Sequence, residues 1–150
     1  MKILLDTNVL VYAHDPGDFD RMRDAIQILD ELQVRGEGVL SAQCLAEFFS
    51  VITRPKGGLL PRLSVPGALD QIQTLAKVFQ VFDLTQYIVL EAARGVRDYG
   101  LSHFDAQIWA TARLNQIPVI FTEDFQDNQI LDGVQFINPF SKTFDLVSWI

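Results

Sequence analysis

The sequence predicts an α/β fold, an α/β/α sandwich built on a mostly parallel five-stranded sheet. Two observations predict it. Short apolar runs recur along the chain (Lys2–Asp6, Val39–Ser41, Val81–Leu84, Pro118–Thr122 and Val134–Ile137), each too short for a helix. Longer segments with apolar residues at helical spacing separate them, and strands alternating with helices pair in parallel through crossover connections. With 150 residues, 49% of them hydrophobic, the chain can bury one core and is short for two, so residues 1–150 are expected to form a single domain.

The elements follow in order. Lys2–Asp6 reads as a buried strand. Asp18 then caps a helix with Met22, Ala25, Ile26, Leu29 and Leu32 on one face, and Gly36 stops it. After the second strand, Ser41 caps a helix carrying Leu45, Phe48, Phe49 and Ile52. The stretch Arg54 to Arg62, with two glycines and two prolines, is a loop and the most basic part of the chain. Ser64 caps a helix that turns Leu69, Ile72, Leu75, Ala76 and Phe79 inward. A helix from Gln86 to Tyr99 ends at Gly100, and Ser102 opens another that buries Ile108, Trp109 and Ala112. The apolar terminus Phe144 to Ile150 is expected to dock as a last helix or strand.

Composition excludes several classes. Nineteen acidic against 12 basic residues leave a formal charge of −7, which argues against coating nucleic acid by bulk electrostatics. Cys44 is the sole cysteine, so there is no disulfide framework and no thiolate zinc site, and two histidines make zinc chemistry improbable. No run approaches the roughly 18 apolar residues of a membrane span. Asp6 interrupts the first apolar stretch, which spoils a signal-peptide core. A soluble cytoplasmic protein is the expectation.

Four acids are placed where strands give way to helices or loops: Asp6, Glu47, Asp105 and Asp124. Each has a plain structural role open to it. Asp105 lies three residues after the cap Ser102 and suits the helix dipole. Glu47 could be a surface residue, and Asp124 part of an acidic loop. Asp6 is harder to dismiss, because an acid ending a buried strand is costly without a partner. Ligands in open α/β sheets bind outside the carboxyl ends of the strands, and carboxylates converging there would repel unless a cation neutralised them. Oxygen ligands of this kind suit Mg²⁺ or Mn²⁺. Asn8 and Thr122, each two residues from one of these acids, could support such a site.

Leu4-Leu5-Asp6-Thr7-Asn8-Val9-Leu10, Ser41 to Glu47, Phe104 to Ala112, and Phe121-Thr122-Glu123-Asp124-Phe125 together resemble the signature blocks of PIN-domain proteins. Length and a near-terminal first Asp are similar to the VapC-type toxins of bacterial toxin–antitoxin pairs. The resemblance implies a Mg²⁺- or Mn²⁺-dependent endoribonuclease that uses metal-activated water and leaves a 5′-phosphate and a 3′-hydroxyl. Asp6, Asp105 and Asp124 would hold the metal. Glu47 would ligate it directly or through water, or orient the attacking water. Asn8 and Thr122 match the accessory polar positions, and Asp127 is a substitute should Asp124 point away. It also implies a homodimer and a small VapB-like antitoxin lying across the groove. A housekeeping RNA-processing nuclease and a non-catalytic RNA- or protein-binding module remain alternatives. For RNA contacts, Arg54, Lys56 and Arg62 are candidates, with Arg94, Arg97 and Arg113 as further groove residues; His103 and Trp109 are read as structural.

Overall fold

The computed structural model describes residues 1–150. At its centre lies β1 (Ile3–Leu5), whose three side chains are all fully buried. Successive strand residues point to opposite faces, so continuous burial means that both faces of the sheet are covered. Around it run β2 (Gly38–Ser41), β3 (Gln80–Phe82), β4 (Val119–Phe121), β5 (Ile130–Leu131) and β6 (Val134–Ile137), in the spatial order β3-β2-β1-β4-β6-β5. All neighbours pair in parallel except β5 with β6. The sheet therefore has six strands, one more than expected. The extra one is a two-residue strand joined to β6 by Asp132-Gly133, whose φ values of 46° and 83° are both positive. Asp-Gly is a strong two-residue hairpin signal, because such turns need φ > 0 at both central positions.

The helices are α1 (Thr7–Tyr12), α2 (Phe19–Arg35), α3 (Ala42–Ile52), α4 (Val65–Val78), α5 (Gln86–Tyr99) and α6 (His103–Leu114). Side chains of Asp18, Ser41, Ser64 and Ser102 cap α2, α3, α4 and α6 as expected, each accepting from a backbone N–H of the first turn. Gly36 and Gly100 end α2 and α5 in the left-handed conformation. The short helix α1 has no counterpart in the sequence reading. Six residues cannot display a helical period, and its cap is Asp6, which reads as the end of a strand.

Two amphipathic faces differ from expectation at single positions, while Leu29 and Ile72 pack against the core as expected. On α2 the buried residues are Ala25, Ile28 and Leu32, while Ile26 faces solvent. On α4, Ala68 and Leu75 are buried, with Phe79 just past its end, and Leu69 and Ala76 are exposed. On α4 the small Ala68 takes a fully buried position that a search for large apolar residues passes over, whereas on α2 the residue missed is Ile28.

Thirty residues form the core. Trp109 is fully buried and donates from its indole N–H to the Leu131 carbonyl at 3.2 Å, in keeping with a structural role. The ring packs on Gly95 of α5 so closely that a Cβ there would come within 2.6 Å of it. At the terminus, a 3-10 turn at Leu146–Ser148 brings Phe144 and Trp149 edge-on to Phe121 of β4, with centroids 5.3 and 6.3 Å apart. No helix is long and apolar enough to cross a membrane.

Candidate active site

The chain runs from β1 outward to β2 and β3, then returns to place β4 on the other side of β1. The carboxyl ends of β1 and β4 therefore flank the point where strand order reverses, the usual ligand crevice of such sheets. Asp6 follows β1 there and Thr122 follows β4. The Thr122 hydroxyl donates to Asp6 Oδ2 at 2.6 Å, joining the two strand ends across the crevice.

Asp6 is 2% exposed, and its other oxygen accepts from the Thr7 N–H at 2.6 Å. Burial pushes its carboxyl up to about 7, against the opposing pull of those two donors, and the charges of Asp124 and Glu47 push the same way. Asn8, the second residue of α1, spreads its amide between two acids: Nδ2 lies 3.4 Å from Asp6 Oδ2 and 3.3 Å from Asp124 Oδ2. The Asp124 N–H donates to Thr122 Oγ1 at 3.1 Å, which orients the loop after β4. The Asp124 carboxyl is raised, first by burial and then by the nearby charge of Asp105.

Glu47 projects from α3, the helix that Ser41 starts at the carboxyl end of β2. Its Oε2 accepts from the Thr7 hydroxyl at 3.1 Å and its Oε1 from Gln43 Nε2 at 2.7 Å. The same Gln43 amide donates to the Phe104 carbonyl at 3.0 Å, tying α3 to the first turn of α6 beside Asp105. Short polar bridges through Thr7, Asn8 and Thr122 thus tie Asp6, Glu47 and Asp124 to one another, and Asp105 is near enough for its charge to act on Asp124. No three acidic, histidine or cysteine side chains are gathered into a ready cage.

The sequence reading named Asn8 and Thr122 but gave nothing to Thr7 and overlooked Gln43. Gln43 precedes Glu47 by four residues, an i,i+4 pair on a helix, and that spacing was the available signal. Asp127 lies elsewhere: its Oδ1 accepts from the Asn138 N–H at 2.8 Å. Cys44 is fully buried, and burial pushes its thiol up to about 12, so it offers no thiolate. His103 lies exposed against Phe104. Arg94, Arg97 and Arg113, considered for the groove, are committed instead to Glu91, Asp98 and Asp132. Arg62 is ion-paired with Asp15 at 3.0 Å. Arg54 and Lys56 are exposed in the basic loop.

The donor set suits a hard cation. It consists of carboxylate, hydroxyl and amide oxygens, and two of the amide oxygens, Asn8 Oδ1 and Gln43 Oε1, are buried with no hydrogen-bond donor. Such an orphaned acceptor costs free energy that a cation can recover.

The sequence profile of the PIN domain matches residues 3–129, and the chain belongs to the PIN-domain family. Solved structures of similar fold include a toxin–antitoxin complex from Klebsiella pneumoniae, 20% identical, covering 93% of this chain and 98% of that one with a TM-score of 0.65. Mycobacterium tuberculosis VapC20, described as a toxin that cleaves the sarcin–ricin loop, is 20% identical over 82% of this chain and 92% of its own, with a TM-score of 0.62. FitAcB from Neisseria gonorrhoeae is likewise 20% identical, covering 92% and 98% of the two chains with a TM-score of 0.61. No curated protein matches the sequence.

Proposed function

We propose that this protein is a divalent-metal-dependent endoribonuclease and the toxin of a VapBC-type pair. The observation that carries the reading is the bridge of Asp6, Thr122, Asn8 and Asp124 across the sheet's switch point, with Glu47 and Asp105 facing it. Asp6, Asp105 and Asp124 would hold Mg²⁺ or Mn²⁺. A cation bound there would offset charge on the phosphate oxygens and lower the pKa of a water molecule.

The chain's own groups do the positioning. Glu47 receives one hydrogen bond on each oxygen, from Thr7 and Gln43, which fixes its plane and leaves a lone pair on each oxygen to align an attacking water. Thr122 and the Thr7 N–H hold Asp6 in one rotamer. Asn8 keeps Asp124 in register with it, so the ligating oxygens need little rearrangement. The buried location excludes bulk water from Asp6 and strengthens each of these interactions. Cleavage by water in this arrangement needs no covalent nucleophile.

A VapB-like antitoxin and a second copy of the chain are the partners this reading implies. Leu69, Tyr87 and Leu90 on α4 and α5 are exposed apolar side chains that a protein partner would cover. One core cluster joining residues from Ile3 to Ile137 supports reading the chain as one domain.

The test is cleavage of a mixed tRNA and rRNA pool with Mg²⁺, with Mn²⁺ and with EDTA, beside the Asp105→Asn variant. Metal-dependent cutting that disappears in the variant supports the proposal. Folded, antitoxin-free protein that cuts nothing favours the binding-module reading.

A further inference from the structure

The protein carries eight arginines, and seven of them are ion-paired with carboxylates. Arg54 is the exception. In a chain with 19 acidic residues this is unexpected, since an arginine at a random surface position has acids within reach. Its single side-chain hydrogen bond goes from Nη2 to Ser50 Oγ at 2.9 Å. Ser50 lies four residues back along the chain, so the guanidinium is drawn toward the N-terminus of α3, in the direction of Glu47.

Helical spacing makes that direction meaningful. Seven residues separate Glu47 from Arg54, which is two turns to within about 20°, or about 10 Å along the axis. Gln43, Glu47, Ser50 and Arg54 therefore form one polar stripe, running from the buried end of α3 at the acidic site to its exposed end. Thr53 is the C-cap, so Arg54 continues the face just beyond the last turn. A basic residue there also complements the helix dipole, but the dipole does not require the bend back to Ser50 or the absence of an acidic partner.

The loop beyond it adds a second basic group. Lys56 has no carboxylate partner, and with Arg54, Arg62 and Tyr12 it lines a groove of about 800 Å³. Arg62 is spent on Asp15, an ion pair that pins the loop to the turn after α1. At the other end of the groove the Tyr12 hydroxyl donates to Glu123 at 2.6 Å, and Glu123 is the neighbour of Asp124. Residues of the groove are thus linked toward the acidic site in two ways, by the α3 stripe from Arg54 to Glu47 and by the bond from Tyr12 to Glu123, next to Asp124 in the chain.

We propose that Arg54 and Lys56 bind the backbone phosphates of the substrate strand on one side of the scissile bond. The strand leaves the acidic site along the α3 stripe into this groove. This rests on the nuclease reading. It also explains how a protein of charge −7 accepts a polyanion: its other arginines are neutralised by carboxylates, and the one arginine without a carboxylate lies with Lys56 in this groove. Backbone contacts of this kind position the strand without reading its sequence.

The experiment compares wild type, Arg54→Ala/Lys56→Ala and Arg54→Lys. It measures binding of a fluorescein-labelled tRNA and rRNA pool in EDTA at stepped salt, and steady-state cleavage of the same pool in Mg²⁺. Both side chains are exposed, so urea midpoints should coincide. The double variant should show a salt slope smaller by about 1.4, the loss of two single-strand phosphate contacts. Its KM should rise about tenfold with kcat nearly unchanged, as removal of uniform binding predicts, and Arg54→Lys should keep most of the slope. Cleavage with unaltered KM and salt slope in the double variant would overturn the proposal and leave the nuclease reading intact. Binding that depends on Arg54 without any cleavage would sink the nuclease reading and keep the surface. Polyglutamate of equal length bound as tightly, with the same Arg54 dependence, would assign the groove to an acidic peptide and overturn the proposal.

Discussion

Replacing Asp6 by Asn should stabilise the metal-free protein, by an amount that grows as pH rises from about 4 to about 7. Asp6 is buried and its carboxyl is raised from 3.8 to about 7, with burial the largest cause. A raised carboxyl pKa favours folding while the group is protonated. That contribution is complete below the unfolded value of 3.8, declines as pH rises above it, and is gone once pH passes about 7. At pH 8 the ionised carboxylate costs the fold about 4 kcal/mol relative to a neutral group, at 1.36 kcal/mol for each pKa unit. At pH 5 the same reasoning leaves about 1–2 kcal/mol.

Asparagine removes the charge but spoils one hydrogen bond. Its carbonyl can face the Thr7 N–H, which places its NH₂ against a Thr122 hydroxyl that already accepts from the Asp124 N–H. That hydroxyl proton then lacks its acceptor, a loss of about 1 kcal/mol. The expected net gain is about 3 kcal/mol at pH 8 and near zero at pH 5. Urea denaturation of both proteins in EDTA at the two pH values measures it. Mg²⁺ should stabilise the wild type and help the variant much less, because a ligand stabilises only the state that binds it. Superimposable pH profiles, or a variant less stable than wild type at pH 8, would refute the argument that desolvation dominates at Asp6.

Other perturbations test separate parts of the structure. Gln43→Leu removes the donor shared by Glu47 and the Phe104 carbonyl, together with an orphaned buried oxygen; it should lower kcat about tenfold with little change in KM or urea midpoint, and an unchanged kcat would exclude a positioning role. Gly95→Ala drives a Cβ to within 2.6 Å of the Trp109 ring. The overpacking cost of about 1–3 kcal/mol should exceed the helix-propensity gain of about 1 kcal/mol, read as a lower melting temperature and an altered near-UV tryptophan signal. Arg62→Ala frees Asp15, whose carboxyl Arg62 holds below its ordinary value. A depressed carboxyl pKa stabilises the fold above the unfolded value, so the variant should be less stable at neutral pH and converge with wild type as pH falls below about 4. Trypsin should also cut its 53–64 loop faster, and equal digestion rates would show that the ion pair does not restrain the loop.

What was legible in the sequence divides by distance along the chain. Caps at Asp18, Ser41, Ser64 and Ser102 are local events, settled by a side chain and a backbone N–H two or three residues away, and all four were readable. The Asp-Gly hairpin was readable by the same logic but lay between strands too short to draw attention. Single positions on α2 and α4 differ from the periodic reading: Ile26 is exposed where Ile28 is buried, and the small Ala68 is buried where Leu69 is exposed. In the candidate site, the four acids could be named from their positions at strand ends and from resemblance. Their partners could not. The Thr122–Asp6 and Asn8–Asp124 bonds each join residues 116 apart, and no local rule brings them together. Only the strand order, with β4 returning beside β1, does so. The same holds for the cations: Arg54 and Arg62 look alike in sequence, and what separates them is that Asp15, 47 residues away from Arg62, is within reach of one and not the other. Charge read along a chain identifies which groups exist, whereas the pairing imposed by the fold decides which of them are left to meet a ligand.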